Sequence, residues 1–319
     1  MKKKMKYKFH AVDIGVLIFL SVYALSLLLL LGWGFLTSLK SYYDFKMGNI
    51  LGLPHLAERG AKEALAFGNY RKILFVFRLH STDATYTSAL FGEIPNDPHV
   101  VFTFKDFLFH SFIYSIVCSF VHAFVAFSCA YLCAKYKFRF SGFIYAVMLV
   151  VMAIPIVGSS PSMMVLLRDL GIYDSYIAMV ALNFNFTGMY FFVFHAYLVG
   201  VSDTYVEAAE IDGASQMGVF LKIMFPLCIK VFFTVFLLQF IQTWNDYQTP
   251  LLYYPNHPTL SYAIFAMRGK TDDIFKHAEY QAVPFKITGC MVLAIPVFLL
   301  FVAFNKFLMG NLTMGGLKE

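Results

Sequence analysis

Six apolar stretches, each long enough to cross a hydrocarbon core, recur along the 319 residues, near 12–36, 107–134, 142–167, 175–200, 227–252 and 285–308. An apolar helix of about 20 residues spans a bilayer, whereas membrane β-strands are shorter and alternate in character. Only 14% of residues are charged and mean hydropathy is +0.66, where a soluble chain of this length carries far more charge. The expected fold is all-α: a polytopic membrane protein with six transmembrane helices.

Basic residues orient it. Lys2, Lys3, Lys4, Lys6 and Lys8 precede the first stretch, and Lys135, Lys137 and Arg139 fill the turn between the second and third. Neither segment holds an acid, and the positive-inside bias places both in the cytoplasm. Six spans then bring the C-terminus, with Lys306 and Lys318, to the same side. No small-residue cleavage site follows the lysine-rich start, so the first stretch reads as an uncleaved span. The net charge of +6 sits in membrane-flanking segments and requires no nucleic acid. Cys118, Cys129, Cys133, Cys228 and Cys290 all fall inside expected spans, as packing residues rather than disulfides.

Between the fourth and fifth stretches runs a polar insert, Tyr205 to Pro226. Asp203, Glu207, Glu210 and Asp212 cannot sit in hydrocarbon, so it lies outside the bilayer, on the cytoplasmic side. Thr204 and Glu207 have capping-box spacing, Gly213 suits a left-handed helix end, and Ser215 suits a second cap. Pro226 marks entry to the next apolar run. Two short helices joined by a tight turn are expected. An ordinary amphipathic loop is the plainer reading; acids on this side, unsupported by the charge bias, suggest service to a partner.

The other divisions are an N-terminus and first helix (1–36), a large extracellular loop (37–106), a transmembrane domain (107–308, with the polar loop at 202–226) and a cytoplasmic tail (309–319). In the large loop, Pro54 to Phe67 suits a short helix and Ile94 to Pro98 a turn. Pro155, Gly158 and Pro161 interrupt the third stretch and Pro296 the sixth, which membranes tolerate where neighbours satisfy the freed carbonyls.

Two polar stripes stand out. In the second stretch Ser111, Ser115, Ser119, His122, Ala126, Cys129 and Cys133 share a band of about 80° at about 100° per residue. Close packing through small side chains is the plainer account; the wall of a hydrated pathway, with His122 wet, is the other. In the fifth, Gln239, Gln242, Asp246 and Thr249 share one face, with Trp244, Asn245 and Tyr247 beside them. Asp246 falls roughly 29 Å above residue 227, near the outer surface. Trp and Tyr there are ordinary interface anchors, yet amides, a carboxylate and aromatics together also suit a sugar. The fourth stretch adds Asn183, Thr187 and Tyr190 on one face and Asn185 opposite, while His195 is taken as structural. Arg268-Gly-Lys-Thr271 has Ile264 where a nucleotide loop needs its first glycine. No nucleophile, metal or hydrolase motif occurs, so the chain is not expected to be an enzyme, and any ATP chemistry belongs to another subunit.

Several motifs carry a resemblance. Glu207-Ala-Ala-Glu-Ile-Asp-Gly-Ala-Ser215 is similar to the E-A-A-x-I-D-G-A-S loop of binding-protein-dependent ABC importer permeases. Leu170-Gly-Ile-Tyr-Asp174 resembles their L-G-L-Y-D, Trp244-Asn-Asp-Tyr247 their W-N-D-[FY], and Phe67-Gly-Asn-Tyr70 their F-x-N-Y. The ending Met309 to Lys318 is similar to their R-G-L-T-x-G-A-x-K-G tail, with Met309-Gly310 where many have Arg-Gly. The matches run in order from residue 67 to the end, nearest the maltose-type second-permease branch. The resemblance implies a type I ABC importer transmembrane subunit in the bacterial plasma membrane, half of a heterodimeric pore beside a second permease. It further implies a cytoplasmic ATP-binding subunit dimer, which carries the ATP and Mg, and an extracellular solute-binding lipoprotein that delivers a sugar. Glu207, Ala208, Ala209, Glu210, Asp212 and Gly213 would meet the ATPase; Gln239, Gln242, Trp244, Asn245, Asp246, Tyr247, Asn183 and His122 are candidates for the substrate pathway. No cofactor is expected on this chain. A non-sugar ABC permease, an ion-coupled carrier and an intramembrane enzyme are the alternatives; no clear pair of midplane acids supports ion coupling.

Overall fold

The computed structural model describes residues 11–54, 67–80, 101–136, 140–154, 158–269 and 278–312. The N-terminal lysines, Lys137, Arg139, Pro155, Lys270, Thr271, the body of the 54–67 helix, the 94–98 turn and the last tail residues lie outside them. In chain order the helices are α1 (Ala11–Ser38), α2 (Tyr42–Lys46), α3 (Phe67–Arg71, running into a π turn Lys72–Val76), α4 (Phe104–Lys135), α5 (Ser141–Ala153) and α6 (Ser160–Asp169). Then come α7 (Tyr176–Asn183), α8 (Met189–Val199), α9 (Thr204–Ile211), α10 (Gln216–Gly218, leading through a π segment Val219–Met224 into α11, Phe225–Asn245), α12 (Gln248–Tyr253), α13 (Leu260–Ala266), α14 (Ala278–Gln281) and α15 (Val283–Leu312). A short antiparallel pair, β1 (Leu79–His80) and β2 (Val101–Phe102), precedes α4.

Among the described residues four helical runs are long and apolar enough to cross a membrane: Val12–Ser38, Phe104–Lys135, Gln216–Asn245 and Val283–Phe304. The third and fourth expected spans are each broken in two. Around the first break Gly158 takes φ +83° and Pro161 opens α6. At the second, Asn185 Oδ1 accepts from the Thr187 amide and hydroxyl, and Gly188 takes φ +117°, so a polar turn replaces helix. Pro296, by contrast, sits within α15 without ending it.

The chain forms two compact units, residues 1–77 with 267–292, and 78–266 with 293–319. In the first, the end of α1 leaves carbonyls without intrahelical donors. Asn69 Nδ2, from the Phe67–Tyr70 motif, donates to Ser38 O at 3.1 Å and Lys40 O at 2.9 Å; Thr288 Oγ1 adds a bond to Ser38 O. The following segment is pinned from inside: the fully buried Lys40 ammonium donates to Asn49 O and Ile50 O at 2.8 and 2.9 Å.

The second unit is built on α4, which packs chiefly against α8 and α11. Ala123, Ala126 and Ala130 let the neighbouring helices approach closely, the usual device where lipid offers no hydrophobic drive for association. Phe127 is the hub, its ring 5.3 Å from Phe194, 5.6 Å from Phe225 and 5.7 Å from Phe220. The stripe on α4 follows the packing account. Ser111, Ser115, Ser119 and Ala126 are buried; Ser111 Oγ accepts from the Leu260 amide and Ser119 Oγ pairs with Thr243 Oγ1 at 3.0 Å.

Candidate functional site

The polar insert folds as an elbow. Gly213 adopts φ +79° and closes α9, with Ala214 N donating to Ala209 O, and Ser215 Oγ caps α10 by accepting from Gly218 N. One local expectation is corrected. The Thr204–Glu207 capping box does not form, because Ser202 Oγ takes the Thr204 amide and pairs with its hydroxyl, leaving Asp203 at the N-cap. Pro226 stands at the second position of α11, at the entry to the apolar run as expected. Phe225 N reaches back five residues to Phe220 O, and this wider turn carries the helix through a residue that has no N–H.

On the elbow Glu207, Ala208, Glu210, Asp212 and Gly213 are exposed. Ala209 is not: at 5% exposure it packs into the chain's own core, one position and about 100° round the helix from Ala208, so it leaves the expected contact face. Two exposed apolar residues missed in the sequence also stand on the elbow, Ile211 at 85% exposure and Met217 at 64%. An isolated apolar side chain within an acidic run was the available signal.

The second constellation lies where α11 ends. The fifth span was expected to continue to 252, but α11 stops at Asn245, and Asp246 turns the chain by accepting from the Gln248 and Thr249 amides to start α12. Asp246 Oδ2 accepts a 2.9 Å bond from the Tyr114 hydroxyl, and Asp246 O accepts from Ser261 Oγ. This corner closes a cleft of about 450 Å³ lined by Tyr114, Ser159, Met163, Leu182, Asn183, Gln239, Gln242, Thr243, Asp246, Thr249 and Tyr253. Four sequence candidates (Asn183, Gln239, Gln242 and Asp246) therefore line one cleft, drawn from α7, α11 and the corner after it. The side-chain amides of Gln239 and Gln242 form no hydrogen bond with the described residues, so they are open to a ligand. No liner is a Lys, Arg or His.

The remaining candidates lie elsewhere. Trp244 is buried, donates Nε1 to Leu293 O at 2.9 Å and stacks on Phe240, which makes it a packing residue rather than a cleft wall. Asn245 Nδ2 bonds Ile241 O one turn below, Tyr247 stacks on Phe265 at 4.1 Å, and His122 meets the edge of Tyr190. Asp174, from the Leu170–Asp174 motif, was no site candidate, yet it fixes the turn between α12 and α13. It adopts φ +60°, and its carboxylate accepts from Asn256 N, Asn256 Nδ2 and His257 Nδ1. Burial pushes the Tyr254 hydroxyl well above the ordinary phenol range.

Comparison with known proteins places this arrangement. The arabinooligosaccharides transport system permease protein AraQ of Bacillus subtilis is 26% identical over 186 residues, 58% of this chain, which spans 63% of that protein's length. The inner membrane ABC transporter permease protein YcjP of Escherichia coli is 25% identical, over 82% of this chain and 87% of its own. A solved bacterial ABC transporter involved in import of the acidic polysaccharide alginate superimposes with a TM-score of 0.67 at 19% identity, covering 94% of this chain and 99% of that one, and so shares the fold. Residues 123–313, more than half of the chain, match the family described as the binding-protein-dependent transport system inner membrane component. With four helices among the described residues long and apolar enough to span, this chain is a multi-pass membrane protein that belongs to that family.

Proposed function

We propose that the chain is a membrane-spanning subunit of an ATP-driven importer, forming half of a heterodimeric pathway for an uncharged sugar or oligosaccharide. In this reading an extracellular solute-binding protein delivers the sugar, a second permease supplies the other wall, and a cytoplasmic ATPase dimer binds ATP and Mg. The broken pairs α5–α6 and α7–α8 each count as one crossing, which gives six and puts both termini in the cytoplasm. The exposed elbow carries the reading. Glu207, Glu210 and Asp212 offer charge-assisted bonds, Ile211 and Met217 offer apolar anchors, and Gly213 holds the turn that presents them.

The substrate class rests on the cleft. Open amides at Gln239 and Gln242 suit the donor-and-acceptor rim of a sugar. One carboxylate and no cationic liner disfavour an acidic glycan, unlike the alginate named for the fold neighbour.

The test is side-specific labelling of a single cysteine placed at Ser202 in a chain stripped of its native cysteines, together with copurification of an ATPase. Labelling only after the membrane is opened, with an ATPase recovered, is the expected result. Labelling of sealed cells by an impermeant maleimide sinks the assignment.

A further inference from the structure

The second unit holds a polar link between the elbow and the cleft-bearing helix. Lys135 is the last residue of α4, and its side chain is only 3% exposed although it is charged. Its ammonium reaches Val201 O at 2.5 Å, just after α8, and Asp203 Oδ1 at 2.7 Å, the residue that opens α9. The next residue grips the other arm. The Tyr136 hydroxyl donates to Gln216 Oε1 at the first position of α10, and Gln216 Nε2 donates back across the turn to Glu210 Oε1 at 2.8 Å. The last residue of α4 and the one after it thus bracket the Gly213 turn, one on its entering arm and one on its leaving arm.

The same helix carries Tyr114, which lines the cleft and bonds Asp246, about 32 Å away along the helix axis at ~1.5 Å per residue. Apolar packing at Ala209, Val219 and Phe220 also joins the elbow to this unit, but such contacts are non-directional and permit sliding. A short charged contact to a backbone carbonyl and a carboxylate fixes both distance and angle.

We propose that Lys135, seconded by Tyr136, is the positioning residue that transmits movement of the elbow to α4 and hence to the cleft. This rests on the elbow being the ATPase contact. Lys135 acts through α4 and touches neither nucleotide nor substrate. With the clasp cut, the ATPase still docks and turns over, but its strokes no longer move the cleft wall.

The test uses the whole transporter, with its binding protein, second permease and ATPase, in proteoliposomes, and reads ATP hydrolysed per maltotriose or arabinotriose imported. K135M is expected to retain its ATPase on purification and to consume at least about tenfold more ATP per sugar, within the range of coupling free energies between distant sites. K135R is expected to recover most of the coupling, which a space-filling role would not predict. Should K135M fail to reach the membrane, D203A and Y136F serve instead, since each removes one polar contact and leaves Lys135 in place. A wild-type ATP-to-sugar ratio in these variants overturns the proposal, as does loss of ATPase copurification, which would make Lys135 a docking residue. Failure of the unmodified chain to recruit any ATPase would instead overturn the functional reading, and this inference with it.

Discussion

The Tyr114 hydroxyl and the Asp246 carboxylate, 132 positions apart in sequence, meet at 2.9 Å and tie the middle of the second unit to the corner where α11 gives way to α12. The other Asp246 oxygen holds the first amides of α12, so one side chain both latches and caps.

Removing the latch alone, by Tyr114→Phe, should cost about 1.5–3 kcal/mol, the usual worth of a hydrogen bond to an ionised partner. Asp246→Ala loses the cap as well and should melt lower still, while Asp246→Asn keeps the amide acceptor and falls between wild type and Tyr114→Phe. Thermal melting in detergent ranks the three, and a Tyr114→Phe protein as stable as wild type would remove the latch from the account.

Substitutions at Gly213 should follow backbone strain and nothing else. No atom lies within 4 Å of the position a Cβ would occupy, so crowding plays no part. Asn tolerates the left-handed region, Ala costs about 1–2 kcal/mol there, and a β-branched residue is a true outlier. Copurified ATPase should therefore decline in the order Gly213→Asn, Gly213→Ala, Gly213→Val. An equal loss in all three would point to a steric rather than a conformational role.

Asn69→Ala removes the donor to Lys40 O and one of two donors to Ser38 O, and Lys40→Met removes the donor to Asn49 O and one of two donors to Ile50 O. Buried acceptors left without partners cost about 1–3 kcal/mol each. Both variants should show faster protease cleavage of the segment after α1, seen as a shortened fragment on gels, with ATPase binding unchanged.

Discrimination by charge is expected at the cleft. Oligosaccharides of neutral sugars should compete for uptake, whereas uronate oligomers of equal length should not. Gln242→Ala should raise the half-saturating sugar concentration several-fold, since one lost bond to a neutral ligand is worth about 0.5–1.5 kcal/mol. Efficient competition by the uronates would contradict the assignment of Asp246 to the pathway wall.

What could be read from the sequence was mostly local. Gly213 and Ser215 declare their roles because a left-handed helix end and a cap depend on neighbours a few residues away. The amide wall was legible too, since Gln239 and Gln242 share one helical face and keep it. Trp244 was not, because helical periodicity alone does not separate a lipid-facing anchor from a residue bonded to Leu293 O on another helix. The Thr204–Glu207 box failed when Ser202 offered a nearer acceptor. Lys135 looked like a topology signal, one positive charge in a cytoplasmic turn, and only tertiary contact shows it buried against Val201 and Asp203. The two broken spans were half visible: Gly158 and Pro161 announced one interruption, whereas Asn185 and Gly188 were not read as another.

The wide turn before Pro226 keeps Gln216 through Asn245 a single 30-residue rod. At ~1.5 Å per residue such a rod is about 45 Å long, and tipping it by about 5° at its Gln216 end swings the far tip by about 4 Å. That is more than the width of a water molecule, delivered where Gln239 and Gln242 stand. A helix broken at the proline would have spent the same stroke in bending its own joint.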